Sequence, residues 1–413
     1  MRYDVAVIGA GAAGLAAARM LSGAGKRVCI LEARPRIGGR IFSLHIPELP
    51  LPIELGAEFI HGQSETTFSI IDAAALSAAT LPDNHYWSRD GKWERVDDFW
   101  DEIDKVRAKI GTRKRDISFA DFLRTRKDLT PRQRELARNF VEGYHASHAD
   151  RISTLVLRAA DSEQEGDNRQ FRLASGQDSI VEWLRAGLDP QRVDIRLNTA
   201  VTEVRWSEGS VLIDRNVRAK QLVITIPIGV WKAGAIRFDP PLREKERAIE
   251  KIEAGHVVKI AFRFRERFWD DRVNFVHSND RFMPTWWTAA PFRSSILIGW
   301  AGGHAADALL AESEDARNQR ALDACASAWN VPRRRLDELL VDTYTHDWQR
   351  DPFSRGAYSY AAVGGANAHD ELAKPLRRTL FFAGEATSSD ETGTVAGAIE
   401  SGLRAAKEVL RNK

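Results

Sequence analysis

Apolar and polar positions along the chain fall into two alternating textures. Residues 4–8, apolar after Asp4, read as a strand, and the Ala-rich stretch 13–22 reads as a helix. A second apolar run ends at Leu31. This order of strand, helix and strand predicts a parallel βα unit at the start of the chain. Strands are expected at 194–197, at 201–206 with a hairpin partner at 211–215, and at 221–226, where Pro227 closes a buried run. Further strands are expected at 259–264, 295–300 and 380–383. Residues 79–168 are rich in charge and aromatics and read as mostly helical, with the arginine-rich stretch 124–138 as a solvated helix face and its turn. Residues 305–330 read as one Ala-rich helix closed by Pro332, and a last helix is expected over 394–410.

The changes of texture predict an α/β fold in two interleaved parts. A Rossmann-type nucleotide-binding domain is expected from 1–78, 170–236 and 352–413, and an α+β substrate-binding domain from 79–169 and 237–351. The length of 413 residues exceeds what one core of about 150 residues serves. With 43% hydrophobic and 29% charged residues, the composition excludes a disordered chain or a coiled-coil rod. Lys and Arg number 60 against 58 Asp and Glu, a net charge of +2 that argues for neither nucleic acid nor an anionic membrane as partner. Two cysteines exclude a disulfide framework, and Cys29 and Cys325 are expected as buried thiols. Met1 leads straight into the first strand and no run of about 18 apolar residues occurs, so a cytoplasmic protein is expected.

The candidate chemistry begins at Gly9-Ala10-Gly11-Ala12-Ala13-Gly14, a G-x-G-x-x-G motif between a strand and a helix. The first glycine permits the turn, the second lets a pyrophosphate approach the backbone, and the third lets helix pack on strand. The helix start at Ala13 offers free N–H groups to phosphate. Glu32 ends the second strand, where a carboxylate can accept hydrogen bonds from both ribose hydroxyls. The motif alone leaves FAD and NAD open. The segment Glu32-Ala33-Arg34-Pro35-Arg36-Ile37-Gly38-Gly39-Arg40 then supplies cations and glycines for a pyrophosphate lying close to the backbone.

At this point the sequence resembles the flavin-dependent amine oxidase family, which includes monoamine and polyamine oxidases, L-amino-acid oxidases and lysine-specific histone demethylases. Six blocks carry the resemblance in the family order. They are 5–40; Glu54-Leu55-Gly56-Ala57-Glu58-Phe59-Ile60-His61-Gly62; Gly176 through Pro227 to Leu242; Gly255 through Lys259 to Trp269; Trp348 through Tyr358; and Phe382-Ala383-Gly384-Glu385-Ala386-Thr387 with Thr394 and the helix after it. The first block is shared with protoporphyrinogen oxidases and carotenoid desaturases.

The resemblance implies FAD as cofactor, with Gly56, Ala57 and Glu58 along the flavin's pyrimidine edge and Glu385 beside its ribityl and phosphate groups. It puts Thr394 and Val395 at a helix start facing the flavin carbonyl, and the Val201 backbone at adenine. It implies that Lys259 holds a water at the flavin and assists the reaction with O2. Ala357 stands nine residues after Trp348, where monoamine oxidases carry their flavin-attachment cysteine, so non-covalent FAD is implied. Tyr358 matches one wall of an aromatic cage, whereas Thr394 replaces the second.

His61-Gly62 and Thr394 resemble polyamine oxidases, and they tilt the substrate toward a polyamine or a bulky amine. His61 is a candidate to face that amine, and Glu163 and Glu165 are candidate distal carboxylates. Trp286, Trp287, Thr288 and Trp300 suggest an aromatic lining. His145 and His148 lie close together, but no cysteine or carboxylate spacing completes a metal site, so no metal is expected. The implied function is oxidation of a small-molecule amine by O2. A porphyrinogen-oxidase or desaturase-like enzyme, a flavin protein without amine turnover, and an NAD-dependent dehydrogenase are the alternatives.

Overall fold

The first apolar run forms the strand Arg2–Ile8 at the centre of an eight-stranded sheet. Val28–Leu31 flanks it on one side and Val217–Ile224 on the other, all parallel. Burial on both faces explains why 5–8, Val28–Leu31 and 222–224 are continuous apolar runs, whereas 217–220 alternates buried and exposed positions. Val193–Arg196 extends the sheet beyond Val28–Leu31, and Leu380–Phe382 joins Val217–Ile224 in parallel. The hairpin Glu203–Ser207 with Ser210–Ile213 continues the other edge, and Arg237–Asp239 pairs beside it. The computed structural model describes residues 2–89, 92–111, 115–163 and 169–411.

Helix Ala12–Gly23 packs on one face of this sheet and against the final helix Val395–Arg411. The approach is close. A Cβ at Gly402 would meet the Ala13 carbonyl oxygen at 2.2 Å, and one at Gly14 would meet the Gly9 oxygen at 2.0 Å. Only glycine fits at both places. Cys29 and Cys325 are buried free thiols, as expected.

A second, seven-stranded sheet runs in the order Leu340–Thr345, Val257–Phe264, Ile296–Gly302, Thr285–Thr288, Phe275–Ser278, His85–Arg89 and Lys92–Arg95. It is antiparallel except where Phe275–Ser278 meets His85–Arg89. The expectation of a mostly helical 79–168 is corrected here. Ala78–Thr80 pairs with Gln170–Leu173, while His85–Arg89 and Lys92–Arg95 form a hairpin on the sheet edge. Their short polar-apolar alternation, HYWSR then KWER, is strand spacing that the surrounding charge obscured. The helices of this region, Phe99–Ala108, Phe119–Thr125, Pro131–Tyr144 and Thr154–Glu163, start only after it.

The expected single helix 305–330 is two, Gly303–Leu310 and Glu314–Trp329. Ser313 accepts a hydrogen bond from the Ala316 N–H and caps the second helix, so the chain restarts there. The arginine-rich stretch is a solvated face as read. Thr130 and Gln133 form a capping box ahead of Pro131–Tyr144, and Arg134 donates to the Leu129 carbonyl.

Gly14→Ala is expected to destabilise the fold by about 3 kcal/mol, because helix and turn cannot separate without losing the sheet contact. Gly23→Ala, with nothing near its Cβ position, is expected to be neutral or to gain up to about 1 kcal/mol from helix propensity. Urea denaturation of the two variants checks the contrast.

Candidate active site

The C-terminal ends of the parallel strands open into one cavity of about 2170 Å³. Ligand sites are commonly about 300–1,000 Å³, so this one has room for a dinucleotide and a second molecule. Its first part is the glycine turn. Gly9 takes φ +101°, a conformation that favours glycine. Gly11, Ala12 and Ala13 line the wall, and the free N–H groups of helix Ala12–Gly23 start there. Gly14 does not line the cavity; it sits behind the turn, packed against Gly9.

Glu32 and Ala33 line the same end. The Glu32 carboxylate accepts from the Ala10 N–H at 2.7 Å and the Arg34 N–H at 2.9 Å, which aims it across the turn. Arg34 lines the cavity, but its guanidinium is held by Asp351 at 2.7 Å and the Ser354 hydroxyl at 2.9 Å. Arg40 donates to Glu385 at 2.9 Å and also to the Ala357 carbonyl. Glu385 is buried. Burial opposes its charge, but Arg40 and the Ser359 hydroxyl at 2.7 Å outweigh it and hold the carboxyl below its usual range. Gly39, Gly56, Ala57, Val201 and Gly384 complete this wall. Thr394 caps helix Val395–Arg411 by accepting from the Gly397 N–H at 2.9 Å, and Thr394 and Val395 bring that positive helix end to the cavity.

Lys259 lies in the interior of the seven-stranded sheet, 5% exposed, and reaches the cavity wall. Its ammonium pairs with Glu58 at 2.6 Å and donates to the Gly56 carbonyl at 3.1 Å. Glu58 also accepts from Arg172 at 2.7 Å and from the Trp287 indole at 3.0 Å. Burial raises the Glu58 carboxyl, but the two cations prevail and keep it below its ordinary range. A lysine in an apolar strand is therefore carried by a buried countercharge rather than by reaching solvent.

The far part of the cavity is walled by rings. Phe59 and Trp287 lie 5.4 Å apart, Trp287 and Trp300 5.7 Å apart. Trp286 does not join them. It is fully buried in the core on the opposite face of the sheet, and Thr288 also stays off the wall, because neighbours on a strand alternate. Tyr358 donates to the Tyr144 carbonyl at 2.6 Å, Tyr144 touches His61 Nδ1 at 3.3 Å, and Trp348 donates to the Leu55 carbonyl at 3.0 Å. Ala357 lines the cavity beside Tyr358. Burial pushes His61 down to about 4 and His145 to about 3, the latter also disfavoured by Arg107 and His61, so both rings are neutral near pH 7. His145 Nε2 is buried with no hydrogen-bond partner among the described residues.

Several residues here lie outside the sequence motifs. His85 and His277 stack 5.2 Å apart and share a 2.9 Å hydrogen bond, with Asp83 2.9 Å from the other nitrogen of His85. Tyr144, Arg172 and this relay are brought in from distant segments. Glu165 and the side chain of Glu163 lie outside the described residues.

Residues 12–410 match the flavin-containing amine oxidoreductases as a family. The chain belongs to that family. Its cofactor is FAD, and the turn, Glu32 and the two cavity-facing helix starts fit a dinucleotide. Polyamine oxidase 3 of rice (Oryza sativa subsp. japonica) is 31% identical over 97% of this chain and 88% of its own length. Human lysine-specific histone demethylase 2 is 28% identical over 98% of this chain. The chain spans 53% of that demethylase and 30–58% of four other demethylases that it matches. A structure of putrescine oxidase bound to putrescine superposes with a TM-score of 0.84 at 23% identity, covering 100% of this chain and 99% of the other. Cyclohexylamine oxidase from Brevibacterium oxydans IH-35A gives 0.85 at 20% identity, covering 99% of both chains. These two likenesses show the fold. The matches do not favour the porphyrinogen-oxidase or desaturase reading. No helix among the described residues is long and apolar enough to cross a membrane.

Glu58→Gln leaves Lys259 and Arg172 buried without their shared anion, and a loss of about 3–5 kcal/mol is expected. Adding Lys259→Met should restore part of that loss. Urea denaturation of the four-member cycle checks this, and strictly additive losses would refute the pairing.

Proposed function

We propose that this amine oxidoreductase is an FAD-dependent oxidase of a bulky, largely apolar amine. The observation that carries the reading is the single cavity that begins at the glycine turn and ends in a chamber of rings with a buried ammonium on its wall. The chemistry a bound FAD supplies is two-electron oxidation of the amine to an imine with O2 as final acceptor, yielding hydrogen peroxide. The imine then hydrolyses in water to a carbonyl compound and ammonia or a smaller amine.

The protein's own groups bind, orient and set charge. Gly9, Gly11, Ala13, Glu32, Ala33, Gly39, Val201 and Gly384 form the dinucleotide cradle, with Gly14 keeping helix on turn. Arg34 and Arg40, fixed by Asp351 and Glu385, keep cationic charge along it without free rotation. Gly56, Ala57 and Glu58 form the segment that meets Lys259. The helix start at Thr394 and Val395 favours negative charge at its N–H groups. Ala357 offers no thiol, in keeping with non-covalent FAD. Tyr358, Trp348 and His61 shape the chamber, and neutral His61 accepts contact from an uncharged amine at little desolvation cost. Lys259 is the only lysine among the described lining residues, and its charge stabilises the negative charge that develops on oxygen as O2 is reduced. We assign 1–78, 170–236 and 352–413 to FAD and 79–169 and 237–351 to the substrate. Two free cysteines accord with the cytoplasmic setting we assign.

A bulky amine is favoured over a polyamine because rings make up the chamber wall, and the carboxylate beside Lys259, Glu58, is already held by two cations.

Anaerobic addition of cyclic or aromatic amines is expected to bleach the flavin absorption, and air should restore it with one equivalent of peroxide. Bleaching by linear polyamines alone would overturn the substrate class, and bleaching by no amine would overturn the oxidase reading. Turnover should rise with pH through the amine's own pKa, since His61 and His145 are already neutral there; a flat profile would count against binding of the uncharged amine. Lys259→Met is expected to slow reoxidation by O2 more than reduction by amine in stopped flow, and equal effects would remove its assigned role.

A further inference from the structure

Outside the cavity, three distant segments bring His148, His256 and Asp307 together. His148 follows helix Pro131–Tyr144, His256 precedes strand Val257–Phe264, and Asp307 lies on helix Gly303–Leu310. The Asp307 carboxylate sits between the two rings, with one oxygen 2.7 Å from His148 Nε2 and the other 2.5 Å from His256 Nδ1. The three ligand atoms lie within 4.8 Å of one another. None of these residues lines the cavity.

We propose that His148, His256 and Asp307 form a binding site for a divalent transition-metal ion, zinc by its donor set, with a fourth position open to water. Two imidazoles and a carboxylate are the ligand types that suit zinc. Ligand atoms on a tetrahedral zinc at about 2.0–2.1 Å stand about 3.3 Å apart, so small side-chain rotations convert the hydrogen-bonded triad into a coordination shell. Zinc on His148 Nε2 requires the ring proton on Nδ1, and the Tyr360 hydroxyl 3.1 Å away accepts it. Such an outer partner fixes the tautomer of a metal-binding imidazole. The entry path is present. The His256 and Asp307 side chains are 37% and 42% exposed, whereas His148 is 3% exposed and forms the fixed inner ligand.

A neighbouring imidazole gives an internal control. His304 stands 4.9 Å from the His148 ring, but its Nε2 is turned to Asp150 at 3.1 Å and Glu142 at 3.9 Å. The site also reaches the flavin-facing wall through backbone. The His256 N–H donates to the Ala146 carbonyl at 3.1 Å, and the Gly255 N–H donates to the Tyr358 carbonyl at 2.7 Å. An ion that binds only the folded state raises the thermal midpoint.

The test titrates zinc chloride into chelator-treated holoenzyme by calorimetry, with thermal unfolding as the second readout. One zinc per chain is expected, with a rise in Tm. His256→Gln and Asp307→Asn should each weaken binding at least tenfold and abolish the rise, with flavin absorption and circular dichroism unchanged. His304→Gln should stay within twofold. No zinc binding, or binding that the His256 and Asp307 variants leave intact, overturns the site. A loss seen with His304→Gln equal to theirs overturns this ligand set. Should Asp307→Asn fail to fold, the half-exposed His256→Gln decides alone.

Discussion

The buried Lys259–Glu58–Arg172 group is the constraint on which the site depends. One anion serves two cations, and the three come from three segments of chain. Lys259 belongs to the seven-stranded sheet, Arg172 to the short strand Gln170–Leu173, and Glu58 to the loop between Ile53–Glu54 and Ile60–His61. Removing a partner strands a charge in a low-dielectric interior, so the group holds its register by penalising every other arrangement. The loop it fixes carries Gly56, whose Cβ position lies 1.9 Å from the Arg40 carbonyl oxygen. The strand of Lys259 is thereby tied to the segment that leaves the glycine turn.

The same logic governs the cradle. Arg34 and Arg40 are drawn to Asp351 and Glu385, more than 300 residues away in the chain. These pairs join the beginning of the chain to its last third and orient both guanidinium groups. A side chain already held loses less entropy when a phosphate or flavin arrives. The chamber beyond follows a different rule. Its rings pack against one another, and burial keeps His61, His145 and His277 uncharged, while Lys259 brings its charge to the wall already paired with Glu58.

The legible part of the site was the part written in short spacing. The glycine turn and Glu32 each depend on neighbours within a few residues and lie where their spacing predicts, and Thr394 stands at the start of the expected last helix. Lys259 was visible because a charge in an apolar strand demands a partner, but the partner was not. Arg172 sits between Phe171 and Leu173 in the same way, a cation in an apolar strand that was a signal left unused. The Trp286–Trp287 pair shows the limit of composition. Both are tryptophan, and strand alternation sends one to the core and the other to the chamber. His145 and His148 divide likewise, one facing the cavity and one facing Asp307.

The sequence by itself determined the dinucleotide turn and the strand, helix and strand that carry it, because these reside in local backbone geometry and hydrophobic period, and its motif blocks carried the resemblance to the family and its flavin. Only the tertiary structure decided which charges neutralise each other, which rings wall the chamber, and that His148, His256 and Asp307 meet. The Arg40–Glu385 pair joins residues 345 positions apart, and even His256 and Asp307 stand 51 apart. No spacing rule reaches across such separations. They follow from how the two sheets and their helices pack, where the cost of an unpaired buried charge selects one partner among many.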